Sequence, residues 1–200
     1  MMRGLEFRAL AGQSRIWLIL KAAISLIFVT LAAVVGREGL ALAIIIVFMG
    51  VTGPTIRLVT MKMGGTFDRI IVSPVSKPRF FLEFAGLWSG AVLLPLIPCI
   101  AVVAVLLGPA TIIPVLTGTI LAVVAGTLAG FVSRGLSDAH LAALLVAGVL
   151  IALSLVKTPV TGLFPYATLL AASSDPAALC ISAILPVIAV IVLFIAVSRS

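Results

Sequence analysis

Long runs of Leu, Ile, Val and Ala recur along the chain, each close to the length of helix that crosses a bilayer. They cover about residues 16–35, 40–60, 84–107, 111–132, 139–156 and 177–197. Roughly 20 such residues span the ~30 Å of hydrocarbon, where only helices or closed barrels satisfy their own backbone. The runs lack the apolar/polar alternation of barrel strands, so the expected fold is all-α and polytopic, with six spans. Composition leaves little else possible. Hydrophobic residues make up 63% of the 200 residues and charged ones 10%, with a mean hydropathy of +1.41. A soluble domain carries roughly a quarter charged residues, so a separate soluble unit has no material to build its surface. The whole of 1–200 reads as one transmembrane domain.

The net charge of +7 would suggest nucleic acid if it formed one patch. Most basic residues instead border the apolar runs, which points to topology and excludes a nucleic-acid partner. With both termini in the cytoplasm, Arg3, Arg8, Arg15, Lys21, Arg57, Lys62, Arg69, Lys77, Arg79, Arg134 and Arg199 fall inside, against Arg37 and Lys157 outside. That bias predicts a multi-pass protein of the cell membrane with cytoplasmic N- and C-termini. The N-terminal stretch has too long a charged region and no small-residue cleavage pattern for a signal peptide. Residues 3–14, with Leu5, Phe7, Leu10 and Ala11 between charged and polar neighbours, predict an interfacial elbow helix on membrane lipid. Cys99 and Cys180 lie within apolar runs and read as small hydrophobes.

One polar, basic island interrupts this pattern, from Met63 to Arg79. Gly64-Gly65 lets the chain turn out of the second span. Thr66 can cap a helix over about 66–72, with Asp68 in its first turn where the helix dipole favours an acid. Phe67, Ile70 and Ile71 share one side of it, while Asp68 and Arg69 point elsewhere. Ser73-Pro74 ends it, because proline restricts the preceding residue and donates no hydrogen bond. Ser76 can cap the next helix, with Pro78 tolerated in its first turn, and that helix continues into the third span. Residues 157–172 are too apolar for a free loop and are broken by Pro159, Gly162 and Pro165. They predict a re-entrant segment before the last span.

The run Gly64-Gly65-Thr66-Phe67-Asp68-Arg69-Ile70-Ile71-Val72-Ser73-Pro74-Val75-Ser76 resembles the cytoplasmic loop after the second span in ABC-2 type permeases. The elbow, the six spans and the re-entrant segment follow that family in outline. The resemblance implies a permease subunit of an ATP-driven exporter, paired with a second permease subunit as a homodimer. It implies two copies of a separate ABC ATPase that bind ATP and Mg, with no cofactor in this chain. Gly65, Thr66, Phe67, Asp68, Arg69, Ile70, Ser73 and Pro74 would then form the coupling helix and its turn, seated in the ATPase. The first, second and fifth spans would line the pathway, with Phe28, Phe48, Met49, Thr52, Leu153 and Ser154 as wall residues. The substrate class would be lipid-like, amphipathic or drug-like. Ile113-Pro114-Val115-Leu116 and the glycines from Gly118 to Gly130 also resemble the haem exporter B subunit of cytochrome c maturation. One departure is the shortness of the outer turns, which leaves no exterior domain for substrate handoff.

No Gly-x-x-x-x-Gly-Lys-Ser/Thr loop occurs, so hydrolysis would have to come from another polypeptide. No cluster of residues suggests an enzyme or a metal centre. His140, beside Asp138, reads as a helix-start residue, and acids are missing from the middle of each span. That weakens an ion-coupled carrier, which remains an alternative alongside a membrane scaffold. Gly53-Pro54 is expected to interrupt the second span. Gly86-x-x-x-Gly90 and Gly126-x-x-x-Gly130 are both expected to allow close helix contact.

Overall fold

The computed structural model describes residues 15–65, 77–155, 164–170 and 176–198. The long elements are α1 (Arg15–Val34), α2 (Glu38–Met63), α3 (Lys77–Leu107), α4 (Ile112–Val132), α5 (Leu136–Leu155) and α7 (Pro176–Ser198). A short α6, Pro165–Leu170, precedes α7, and a 3-10 turn over Pro109–Thr111 leads into α4. Among the described residues, five helices, α1 to α5, are long and apolar enough to cross a membrane. The 23-residue α7 is apolar as well. The protein is an all-α, multi-pass membrane protein.

Tight turns reverse the chain. After α1, the Gly36 N–H donates to the Ala33 carbonyl at 3.1 Å and the Arg37 N–H to the Ala32 carbonyl at 2.9 Å. This is the paired C-terminal cap that needs a left-handed residue, and Gly36 supplies it with φ of 66°. Gly108, with a positive φ of 97°, turns the chain after α3, and its carbonyl accepts from the Thr111 hydroxyl at 2.7 Å. These turns bring the end of α1 to the start of α2, and the end of α3 to the start of α4. One end of the bundle therefore carries Arg37 and Glu38, and the other carries Lys62, Lys77, Arg79 and Arg134.

α2 and α4 form the centre. More than half of each span is buried, 56% for α2 and 61% for α4, against 11% for α1. α4 also packs on α3, α5, α6 and α7, whereas α1 rests mainly on α2 and α3 among the described residues. Burying apolar surface gains little between helices in lipid, so close backbone approach must hold the pair. Small residues provide it. Gly50 lies against Ala122, Gly126 against the backbone of Gly50 and Val51, and Gly130 against that of Thr55. The Thr55 hydroxyl sits 2.6 Å from the Val51 carbonyl in its own helix and 2.7 Å from the Gly126 carbonyl across the seam. Most other hydroxyls bond back to the carbonyl four residues earlier, as Thr119 does to Val115 at 2.8 Å and Thr127 to Val123 at 2.7 Å. Such bonds satisfy a hydroxyl where no water reaches it.

Several expectations change. α2 runs unbroken through Gly53-Pro54. Proline removes the bond to the Gly50 carbonyl, and α4 packs tightly against this stretch at Gly50, Val51 and Thr55. α3 begins at Lys77, directly after the cap expected at Ser76, and continues into the third span, while α5 begins at Leu136. Of the two glycine pairs, Gly126 and Gly130 meet α2, while Gly86 and Gly90 face outward with open space at the Cβ position. The elbow over 3–14 and the helix over 66–72 lie outside the described residues. So do 157–163 and 171–172, and the described remainder of that stretch is α6. It buries Tyr166 and Leu169 against the core.

Candidate functional site

The end of the bundle that frames residues 66–76 is built around the C-terminus of α4. The last four carbonyls of a helix have no partner within it and carry the negative end of its dipole. Lys62, in the last turn of α2, answers both needs. Its Nζ donates to the Gly130 carbonyl at 2.9 Å, to the Ser133 carbonyl at 3.2 Å, and to the Phe131 carbonyl. The same ammonium lies 5.3 Å from the Phe131 ring centroid, within reach of a cation–π attraction. The Ala129 carbonyl takes the Ser133 N–H at 3.0 Å and its hydroxyl at 2.7 Å. α2 then stops at Gly64-Gly65, and Gly65 adopts φ of 66° to turn the chain away.

α3 returns to the same place. Phe80, Phe81 and Phe84 are buried at its start. Phe81 meets Phe131 edge to face at 5.4 Å, and Phe80 meets Phe81 likewise at 5.4 Å, a geometry that ring quadrupoles favour. Phe84 passes the contact to Trp88 at 6.2 Å, and Trp88 fills the space left by Gly53 of α2. Arg79 pairs with Glu83 at 3.1 Å on the outside, where such a pair contributes little. Phe131 of α4 is thus gripped from α2 by Lys62 and from α3 by Phe81. The segment 66–76 is anchored at both ends to one helix terminus.

Of the residues nominated for coupling, Gly65 is placed at this turn. Thr66, Phe67, Asp68, Arg69, Ile70, Ser73 and Pro74 lie outside the described residues. The proposed wall residues are distributed over three helices. Phe28, on α1, is exposed, as are Phe48 on α2 and Leu153 on α5. α1 and α5 each pack on α2 but at most marginally on one another, so α2 stands between their faces. Met49 is half-buried and packs against the core. The Thr52 hydroxyl turns to the Phe48 carbonyl at 2.6 Å, and the buried Ser154 hydroxyl to the Leu150 carbonyl at 2.6 Å. Neither hydroxyl is aimed at a shared space.

Three residues gain a prominence that sequence reading did not assign them. Lys62 was counted as an interfacial charge, and only its contact 68 residues away makes it a cap. Tyr166 donates to the Gly118 carbonyl at 2.5 Å and its ring covers Gly118, so α6 is bolted to α4. Glu38 is buried at the start of α2, and its Oε2 has no hydrogen-bond partner among the described residues. Its position directly after an Arg at a span end reads as ordinary interface sequence. His140 is exposed at the start of α5, its Nδ1 2.7 Å from the Leu136 carbonyl.

Comparison with known proteins finds no matching family model, no matching curated protein and no matching solved structure. The sequence and fold together establish a polytopic membrane protein whose apolar helices are compatible with a transport role.

Proposed function

We propose that this chain is the membrane-spanning subunit of an ATP-driven exporter of the ABC-2 type. In this role it moves a lipid-like, amphipathic or drug-like substrate out of the cytoplasm of the cell, across the cell membrane. Hydrolysis is supplied by two copies of a separate ATPase that binds ATP and Mg, and a second copy of the chain completes the pathway. The termini and residues 66–76 face the cytoplasm, as the distribution of Lys and Arg favours. The observation that supports this reading most is the double grip on α4. The helices entering and leaving 66–76 both hold its last turn, α2 through Lys62 and α3 through Phe81. A soluble partner pressing on that segment would move α2, α3 and α4 as one body, and a transport cycle needs such a lever.

Phe67→Asp tests it. An unpaired carboxylate in the docked surface would cost association on the order of several kcal/mol. Expression and dimerisation should be normal, while co-purification with the ATPase and export are lost. Full ATPase binding and activity in the variant would rule out docking through this segment.

Glu38 favours a second reading, an ion-coupled carrier, because a buried carboxylate in a membrane helix often marks an ion or proton path. Under it, transport persists without ATP, follows a pH gradient, and disappears in Glu38→Gln.

A further inference from the structure

A cleft of about 600 Å3 opens between α4 and α5 at the end that carries Lys62. Ala129 and Val132 form its α4 wall, and Leu145 and Val146 its α5 wall. The alanines leave the gap, and the larger side chains make its sides apolar. Its rim is the α4–α5 connection, where Arg134 and Asp138 both border the opening. Cavities of this size suit one small ligand or a section of a larger one.

The charges at the rim decide which ligand. The negative end of α4 does not attract a cation there, because Lys62 already occupies the carbonyls of Gly130, Phe131 and Ser133. Arg134 and Asp138 are four residues apart, yet they do not pair with each other. The ion pair found among the described residues is Arg79 with Glu83. One cation and one anion therefore both border an apolar slot, and both are exposed. They lie at the ends of two spans, at the depth of lipid headgroups. Leu145 stands seven residues further along α5, roughly 10 Å deeper at helical rise. The order from rim to floor is two opposite charges, then hydrocarbon.

We propose that this cleft binds a phospholipid whose headgroup ends in a primary ammonium, such as phosphatidylethanolamine. The phosphate lies against Arg134, the ammonium donates to the Asp138 carboxylate, and the first part of one acyl chain enters between Val132 and Leu145. A quaternary ammonium has no N–H to donate to Asp138, and a glycerol headgroup has no cation for it. Lipid binding here requires neither ATPase nor transport, so this site and the exporter role stand or fall separately.

Native mass spectrometry of the detergent-purified protein tests the site. The probe is an equimolar mixture of phosphatidylethanolamine, phosphatidylcholine and phosphatidylglycerol with identical chains. Wild type should retain the ethanolamine lipid about fivefold over either competitor, as expected of one added hydrogen bond at an exposed rim. Asp138→Asn should erase that preference and Asp138→Glu should keep it. Arg134→Gln should lower retention of all three lipids, and Leu145→Trp should block the slot while the helical circular dichroism is unchanged. Equal retention of the three lipids by wild type would overturn the proposal, as would a preference for the glycerol lipid. An ethanolamine preference that survives both Asp138→Asn and Arg134→Gln would place the lipid elsewhere on the protein.

Discussion

Gly126→Ala should damage the protein, because among the described glycines its added Cβ would make the shortest contact. A Cβ built at Gly126 would stand 2.4 Å from the Val51 carbonyl oxygen, 2.8 Å from the Val51 Cα and 2.9 Å from the Gly50 carbonyl oxygen. All three are backbone atoms, so no rotamer can move aside. Ordinary contact begins at 3.4 Å, and α2 and α4 would have to separate by up to about 1 Å to reach it. That shift stretches the 2.7 Å link from Thr55 to the Gly126 carbonyl beyond useful hydrogen-bond range. Overpacking of this kind costs about 1–3 kcal/mol, and an interhelical hydrogen bond in a membrane about 0.6 kcal/mol. Alanine returns up to roughly 1 kcal/mol in helix propensity, leaving a net loss of about 1–3 kcal/mol. Gly86→Ala is the matched control, since nothing lies within 4 Å of its Cβ position. The assay is unfolding of the purified protein in mixed micelles, followed by circular dichroism as denaturing detergent is raised. A Gly126→Ala midpoint equal to wild type, or a Gly86→Ala loss of the same size, would refute the α2–α4 seam.

Lys62→Met should weaken the same assembly by about 1–3 kcal/mol, because it leaves buried carbonyls at the end of α4 without their donor. Lys62→Arg should recover part of that loss, and the same denaturation midpoints measure both. Tyr166→Phe keeps the ring over Gly118 and removes only the bond to its carbonyl, so about 0.5–1.5 kcal/mol should go. Faster proteolysis of the α6 region in that variant would report the loosened bolt. Single cysteines test orientation. One at Arg37 should react with an impermeant thiol reagent in intact cells and one at Ser76 should not, and the reverse pattern would invert the topology.

The spans were legible because hydrocarbon imposes length and apolarity on each helix separately, without regard to its neighbours. Their boundaries were less so. At the start of α3, Phe81 meets Phe131, a partner fifty residues away that no local pattern reveals. The Pro54 break was expected from local rules and is overridden by α4. Gly86-x-x-x-Gly90 and Gly126-x-x-x-Gly130 are indistinguishable as patterns. Only the placement of α2 makes one a seam and leaves the other facing outward. Lys62 carries no mark in the sequence that separates a cap from a snorkelling charge. The coupling residues from Thr66 to Pro74 were chosen on a motif, and they lie outside the described residues. Arg134 and Asp138 read as separate interface charges in the sequence, and only the parting of α4 and α5 sets both over one apolar slot.

The α2–α4 contact also has a consequence for how the chain is made. Thr55 and Lys62 meet acceptors 68 to 71 residues later in the chain. At 5–20 residues per second, a ribosome needs roughly 4–14 s to deliver them. During that interval α2 has left the translocon with a lysine near its end and a proline inside it, and its central partner has not yet been synthesised. Thr55 can meanwhile rely on the Val51 carbonyl, and Lys62 on phosphate at the bilayer surface. The nascent bundle is therefore at its weakest between emergence of the second and fourth spans. Slow codons placed there would prolong that exposure, and an insertase that shelters a lone polar helix would matter most at that moment.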